Sequence, residues 1–367
     1  MLTILLIILL FASLVLVHEW GHFITARRGG VEVEEFGFGF PPKVWGRVRK
    51  GVLYSINLLP LGGFVRLKGE DAAETGPGTF GGARFSIKAK ILLAGVAMNL
   101  ITAVVLLYGL AVTGLPGLGS QFEPSFLQHS YAQTPRLIMA EVSKGLPAAG
   151  AGLKRGDYLL EADGQKLTTD TELRDFTKAH AGQEVMLQVQ QGDQKRSVKV
   201  KLRDPSATNG YLGVVGQQVY QLKYDPLRAL IAALYITGAL FVATIVGVVQ
   251  LILHIPSLVA GLFSASVPAA AEAASGPVGI VFIMQSLSSL GVAYIWLFMA
   301  NISVALAAFN VLPLPALDGG RLAVIAVQKL TGRRWNAEAE ARYHAIGFMV
   351  LIGLMLLISV YDLRKYF

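Results

Sequence analysis

The chain contains no cysteine, so disulfide bonds and thiolate metal ligands are both excluded. Charged residues are also scarce: they make up 15% of the 367 residues, whereas 53% of the residues are hydrophobic. Such a composition is too apolar for an ordinary soluble domain. It indicates a multi-pass membrane protein that carries some soluble part.

The net charge of +8 has no recognised nucleic-acid-binding motif beside it, and we predict no nucleic-acid partner. Its basic residues instead cluster in loops beside apolar segments, as expected for loops on the cytoplasmic side of a membrane. No Lys or Arg precedes the first apolar run, unlike a cleavable secretory signal. We therefore expect this first segment to stay in the mature protein.

The apolar segments and their loops divide the chain into successive parts. We predict a first transmembrane helix at 1–26, a cytoplasmic-side loop at 27–90, a second transmembrane helix at 91–113, a folded extramembrane domain at 125–204, a linker with an amphipathic or re-entrant apolar segment at 205–290, a third transmembrane helix with its following loop at 291–330, and a fourth transmembrane helix at 344–361.

The segment Leu227–Leu253 is ambiguous, because it is apolar enough to span a bilayer. If it crossed with the others, the basic residues after the third helix would face away from the cytoplasm. They return to the cytoplasm if Leu227–Leu253 lies flat or pairs with a half-crossing around Val278–Leu290. Four full crossings are the preferred topology.

Strand signals occur in two regions. In the basic loop, Gly37–Phe40 and Ile56–Val65 are apolar stretches punctuated by glycine, which predicts β-hairpins that lie on or dip into the membrane. In the extramembrane domain, polar and apolar residues alternate in Glu184–Gln190 and Ser197–Leu202, and Thr171–Ala179 is typical of a short helix.

The pattern His18-Glu19-Trp20-Gly21-His22 stands near the end of the first apolar segment. Residues four apart project from the same face of a helix, so His18 and His22 can hold one metal ion. Glu19 is placed beside them to transfer protons to and from a water that the metal activates. Placing two histidines and a carboxylate in the hydrocarbon of a bilayer costs a few kcal/mol of insertion free energy. Such a cost argues that these residues have a function.

A catalytic zinc site usually has three protein ligands and one open position. Acidic residues near the apolar segments are sparse, and Asp318 is the candidate for the third ligand. Pro313 and Pro315 would end the preceding helix, while Gly319 and Gly320 allow a tight turn. Such a loop can direct a carboxylate inward at membrane depth.

Several further motifs, in this order, give the chain a specific resemblance to a known family. They are His18–His22, Pro60–Val65, Ala94–Asn99, Ser275–Gly279 and Asn310–Gly320. Together they resemble the site-two-protease-type intramembrane zinc metalloproteases, and most of all the bacterial regulator-of-sigma-E protease group. The resemblance covers nearly the whole chain, although Gly95-Val96 stands where the family often has Gly-Pro.

This resemblance implies roles for individual residues. It implies Zn²⁺ as the cofactor, with His18, His22 and Asp318 as ligands and Glu19 as the catalytic acid and base. It also implies that a strand of the basic loop binds unwound substrate by strand addition. The implied substrate-binding residues are Asn99, Asn310, Gly62 and Gly63. For the two asparagines, hydrogen bonding between helices is an equal alternative.

The extramembrane domain resembles a single PDZ domain through Gly145–Asp157 and the later pair Asp163-Gly164. The expected fold is therefore a multi-pass α-helical membrane protein with membrane-associated β-hairpins and one inserted α/β PDZ domain. The family implies the bacterial cytoplasmic membrane, with the PDZ domain on the periplasmic or extracytoplasmic side and the active site near the cytoplasmic side.

Two functions remain in competition. The first is an intramembrane zinc endopeptidase that cleaves single-span membrane proteins, such as anti-sigma factors or signal-peptide remnants, during regulated proteolysis. The second is a non-catalytic membrane adaptor that has a structural metal and a PDZ domain for partners. The partners common to both are the lipid bilayer and other membrane proteins. The sequence predicts no oligomeric state.

Overall fold

The computed structural model describes residues 2–70, 74–118, 122, 124–127, 132–191, 194–204, 210–263, 268, 275–333 and 335–366. The helices are α1 Leu2–Arg28, α2 Phe85–Thr113, α3 Pro147–Gly150, α4 Asp170–Ala179, α5 Pro226–Leu253, α6 Ile255–Gly261, α7 Pro277–Leu290, α8 Val292–Val311, α9 Asp318–Thr331 and α10 Ala337–Tyr366. The strands are β1 Val33–Arg49, β2 Val52–Leu67, β3 Leu115–Pro116, β4 Ala132–Val142, β5 Tyr158–Ala162, β6 Gln165–Lys166, β7 Glu184–Gln191, β8 Gln194–Lys201 and β9 Val214–Lys223.

Within these residues, five helices are long and apolar enough to cross a membrane. They are α1 from Ile8, α2, α5, α8 and Glu338–Lys365 of α10. The topology favoured by the sequence had four crossings and treated Leu227–Leu253 as amphipathic or re-entrant. In the structure α5 is one continuous helix of 28 residues, largely apolar and without an internal proline, and the number of crossings stays a prediction. The chain is therefore a multi-pass membrane protein with a fifth helix of spanning length.

The chain forms two compact units, and each is described by itself. The first unit contains Met1–Val105, Thr237–Ile283 and Met299–Phe367, and the second contains Leu106–Ile236 and Met284–Phe298.

The sheet of the first unit is formed by β1 and β2, which are joined by a two-residue turn. Lys50 and Gly51 have φ angles of 51° and 79°, as a type I′ hairpin turn requires. Phe36 of β1 pairs with both Tyr54 and Val65 of β2. The first half of β1 therefore lies between two segments of β2, and the segment 63–67 forms an edge of this sheet.

A hydrophobic cluster fastens this sheet to α1 and α2. Its buried members come from the end of α1, from both strands, from α2 and from the loops that connect them, namely Phe23, Ala26, Val31, Val33, Val52, Leu67, Phe80, Ile91 and Leu92. Fully burying a large aliphatic or aromatic side chain of this kind contributes about 1.5–3 kcal/mol. This cluster fixes the position of β2 along α1.

The Ser275–Gly279 motif begins α7 and is held by the last helix. The Asp362 carboxylate Oδ2 accepts hydrogen bonds from Gly276 N at 2.9 Å and Gly279 N at 2.8 Å. Asp362 is 2% exposed, so these bonds give a buried side chain hydrogen-bond partners among the N–H groups of a helix start. A Cβ on Gly279 would lie 2.6 Å from the carboxylate, which explains the small residue there.

The second unit is built around an antiparallel sheet. Among the described residues this sheet has seven strands in the order β3-β9-β4-β5-β7-β8, with β6 paired to β5. It extends past residue 204, where the sequence placed the end of the domain, because β9 pairs along β4 from Ala132 to Val142. The predicted short helix is α4, which begins with a capping box between Thr169 and Glu172.

The glycine-rich stretch that ends at Asp157 has a structural role in this unit. Asp157 is fully buried, and its Oδ2 accepts bonds from Lys154 N at 3.0 Å and from Arg196 Nη2 at 2.9 Å. Asp163 and Gly164 both have positive φ angles and form the tight turn between β5 and β6. These contacts hold the ends of β5.

Candidate metal centre

Three side chains converge between α1 and α9 in the first unit. His18 Nε2 and His22 Nε2 lie 3.1 Å apart. Asp318 Oδ2 lies 3.1 Å from the first of these nitrogens and 3.2 Å from the second. The sequence separates Asp318 from His18 by 300 positions, so the fold creates this cluster.

The geometry of this cluster fits a tetrahedral zinc ion. Zinc bonds to nitrogen and oxygen measure about 2.0–2.1 Å, so neighbouring ligand atoms of a tetrahedron stand about 3.3 Å apart. The three observed separations of 3.1–3.2 Å match this spacing. Three protein ligands leave the fourth position open, as in catalytic rather than structural zinc sites.

Asp318 approaches both imidazoles with one carboxylate oxygen. Zinc ligation would require this carboxylate in its deprotonated form together with two neutral imidazoles.

The loop before Asp318 is held by contacts that aim the carboxylate. α8 ends at Val311 and α9 begins at Asp318, so the helix break falls at Pro313 and Pro315. Ala316 has a φ angle of 69°, and its N–H donates to His344 Nδ1 at 2.9 Å. One turn after Asp318, Arg321 forms an ion pair with Glu70, which follows β2.

Each imidazole is also held through its second nitrogen. His22 Nδ1 donates to the carbonyl oxygen of Ile91 at 2.8 Å. This bond places the proton on Nδ1 and leaves Nε2 as the metal-facing atom. Both histidines are 6% exposed, so their ring orientations are fixed by protein contacts rather than by solvent.

The partner of His18 is Asn99, which is fully buried on α2. Its amide Nδ2 lies 3.1 Å from His18 Nδ1, while its Oδ1 has no hydrogen-bond partner among the described residues. When His18 Nε2 faces a metal, Nδ1 carries the proton and must donate. A half-turn of the amide satisfies both groups, since Oδ1 then accepts from Nδ1. Ser303 Oγ donates to the backbone carbonyl oxygen of Asn99 and holds this part of α2 in place.

Glu19 is held by the edge of the sheet. The backbone N–H of Val65 donates to Glu19 Oε2 at 3.1 Å. This contact requires β2 to run close to α1, and Gly62 and Gly63 allow that approach. A Cβ on Gly62 would meet Val15 at 3.2 Å, and Gly62 has a φ angle of 122° that disfavours other residues.

The approach of α2 to α1 depends on two further glycines. A Cβ on Gly21 would lie 2.5 Å from the carbonyl oxygen of Ala94. A Cβ on Gly95 would lie 2.5 Å from His18 Cε1 and 2.6 Å from both Nε2 atoms. Small residues let membrane helices pack backbone to backbone, and here they make room for the imidazoles.

The two asparagines predicted to bind substrate make hydrogen bonds within the protein. Asn310 Nδ2 donates to the Leu306 carbonyl oxygen on its own helix at 3.0 Å. Asn99 of α2 contacts His18 of α1, which is the hydrogen bond between helices that the sequence offered as the alternative. Sequence reasoning missed Val65, Ile91, Ser303 and His344. Two of these act through backbone atoms, and none carries a local sequence signal for its role.

Comparison with known protein families identifies the family of the chain. The sequence profile of peptidase family M50 matches residues 6–354 of the chain. That match runs from within α1 to within α10 and includes the sheet at α1 and all three converging side chains. The chain belongs to peptidase family M50.

Individual relatives match over nearly their whole length. The chain is 28% identical to the zinc metalloprotease RasP of Geobacillus kaustophilus, with 98% of this chain and 97% of the relative aligned. It is 29% identical to the putative zinc metalloprotease CPE1693 of Clostridium perfringens, over 97% of each. It is 30% identical to the putative zinc metalloprotease all3971 of Nostoc, over 95% of this chain and 92% of the relative.

Gly95→Ala tests the packing of α2 against the imidazoles. The added Cβ has no room, so the ligand atoms must move, and zinc affinity should fall at least about tenfold. The measurement is zinc retention by the purified full chain against a series of chelators. Gly109→Ala is the control on the same helix, because a Cβ there meets nothing within 4 Å. Equal zinc retention by both variants would contradict the packing argument.

Asn99→Leu tests the contact behind His18. It removes the acceptor for Nδ1–H, so zinc affinity should fall about 10- to 100-fold. Asn99→Asp keeps an acceptor and should retain zinc. Asn310→Leu is the matched control, since that amide bonds to its own helix. If Asn99→Leu held zinc as tightly as the unchanged chain does, Asn99 would have no part in orienting His18.

Proposed function

We propose that the chain is an intramembrane zinc endopeptidase of the site-two-protease type. The observation that carries the proposal is the convergence of His18, His22 and Asp318 with tetrahedral spacing beside a glutamate. His22 stands six residues before Arg28, the end of its apolar span, which is about 9 Å along the helix. The cofactor is Zn²⁺, as the names of the relatives also indicate.

In this proposal the three ligands hold the metal and Glu19 moves the protons. Bound zinc supplies Lewis-acid chemistry, by polarising a peptide carbonyl and lowering the pKa of water. Val65 N–H occupies Oε2 of Glu19 and fixes the orientation of the carboxylate. Oε1 then accepts the proton from the attacking water and returns it to the leaving amine.

We further propose that the β2 edge holds the substrate as an extended strand. The segment 63–67 pairs with β1 on one side only in the described part of the chain, and its Val65 N–H reaches Glu19 on the other. Unpaired strand edges bind peptides by strand addition. A substrate helix must unwind before its peptide bonds are accessible, and strand addition stabilises the unwound form. Gly62 and Gly63 contribute by bringing this edge close to α1.

Finer assignments follow the family. The sheet of the second unit, with its two short helices, is proposed as a PDZ domain on the extracytoplasmic side of a bacterial cytoplasmic membrane. The metal centre then lies near the cytoplasmic side, where Arg27 and Arg28 end α1. The proposed substrates are single-span membrane proteins, including anti-sigma factors or signal-peptide remnants. Membership in a peptidase family favours this function over a non-catalytic adaptor.

Glu19→Gln tests the catalytic role separately from metal binding. The amide accepts no proton, so cleavage should fall about 100- to 10,000-fold while zinc content stays unchanged. The measurement compares membrane proteomes of cells that carry the unchanged chain or the variant. In cells that carry the variant, single-span proteins or fragments of them should accumulate. In cells that carry the unchanged chain, the same proteins should be found as fragments that end within their apolar spans.

The matched control is Glu184→Gln, an exposed glutamate of β7 that makes the same chemical change away from the site. It should behave as the unchanged chain does. Indistinguishable single-span fragments with and without the Glu19 carboxylate would refute the proposed activity.

A further inference from the structure

A cavity of about 680 Å³ lies on the first unit, between the end of α1 and the turn of the β1–β2 hairpin. The metal centre does not use it. Its lining residues are Trp20, Arg27, Trp45, Arg47, Val48, Arg49, Lys50 and Tyr54. The lining thus combines four cations with three amphipathic aromatic residues, and no acidic residue is among the described residues that form it.

The hairpin places its share of the lining on one face. Side chains two apart in a strand project to the same side, so Trp45, Arg47 and Arg49 form one row. Tyr54 pairs directly with Arg47 across the hairpin and belongs to the same face. Val44 and Val48 occupy the alternate positions of β1 and are 65% and 67% exposed, and Val48 also lines the cavity. The turn therefore combines a row of cationic and aromatic side chains with two exposed valines.

The four cations have no carboxylate to neutralise them. Arg27, Arg47, Arg49 and Lys50 form no ion pair in the described part of the chain. Elsewhere in the same region, Arg66 and Lys68 do pair with glutamates. Concentrated positive charge without a paired carboxylate favours an anionic ligand, and arginine binds phosphate through paired N–H groups.

The depth of the cavity shows what kind of anion fits. Arg27 stands at the end of the apolar span, while Trp20 lies seven residues earlier, about 10 Å along the helix. Trp20 belongs to an aromatic cluster with Phe23 and Phe36, at ring distances of 5.4 and 5.8 Å. The cavity thus runs from a charged end at Arg27 to an aromatic end at Trp20. That gradient suits a phospholipid, with its phosphate at the arginines and its glycerol and acyl chains beside the tryptophans.

We propose that this cavity binds the headgroup of an anionic phospholipid from the leaflet at the Arg27 end of α1. In this proposal the exposed Val44 lies in the bilayer interface beside the cavity and anchors the turn, while Val48 contributes an apolar side chain to the cavity lining. The inference goes beyond the proteolytic function, since it assigns a ligand to a separate part of the first unit. It also gives the hairpin turn a fixed position at the membrane surface.

The test titrates the purified full chain, in a neutral detergent, with three probes. They are a short-chain phosphatidylglycerol, the matching phosphatidylcholine and inorganic phosphate, and calorimetry reads binding. We expect saturable binding of phosphatidylglycerol, weakened by salt, and binding of the other two at least about tenfold weaker. Phosphate that bound as tightly as phosphatidylglycerol would overturn the lipid assignment, as would phosphatidylcholine that bound equally well.

The double variant Arg47→Gln with Arg49→Gln locates the site. Removing two cations should weaken phosphatidylglycerol binding roughly tenfold or more. The control is Arg84→Gln with Lys90→Gln, which removes the same charge from exposed positions outside the cavity. Equal losses in both double variants would show attraction to net charge alone and contradict the proposal. Unchanged zinc content in both shows that the first unit stays folded.

Discussion

The close packing of α1 against α2 is the constraint on which the metal centre depends. Both histidines stand on α1, yet the groups that orient them, the Asn99 side-chain amide and the Ile91 carbonyl oxygen, belong to α2. The helices can approach this closely only because Gly21 and Gly95 have no side chains. A buried imidazole without a hydrogen-bond partner on its second nitrogen would be unstable. The packing of α2 against α1 supplies these partners and therefore also sets the orientation of the ligands.

Further contacts in the first unit connect β2 and α9 to this pair of helices. The hydrophobic cluster around Phe23 and Leu67 sets β2 along α1, and from there Val65 reaches Glu19. The ion pair of Arg321 and Glu70 connects the start of α9 to the end of β2. Asp318 is thereby brought to the histidines from the far end of the chain. Each functional side chain has a support from a different element, which limits the motion of the site.

The sequence predicts the parts of this arrangement that are local. The four-residue spacing of His18 and His22 places them on one helix face, and the prolines and glycines around Asp318 mark a break between helices. The structure brings these three residues together; their binding of zinc stays a prediction. The contact of Val65 with Glu19 gave no sequence signal of its own, because it is made by a backbone N–H that every residue except proline has. For α5, an apolar composition suits a span and a flat helix alike, so the preference for four crossings rested on loop charges alone.

The central claim is that two imidazoles and the Asp318 carboxylate hold one zinc ion. Zinc K-edge X-ray absorption of the purified full chain and of Asp318→Ala tests it most directly. The account predicts a first shell of nitrogen and oxygen at about 2.0–2.1 Å, with the outer-shell signature of two imidazoles. In the variant, both imidazoles should remain and the carboxylate contribution should disappear. A different number of imidazoles, or a spectrum that Asp318→Ala leaves unchanged, would contradict the account.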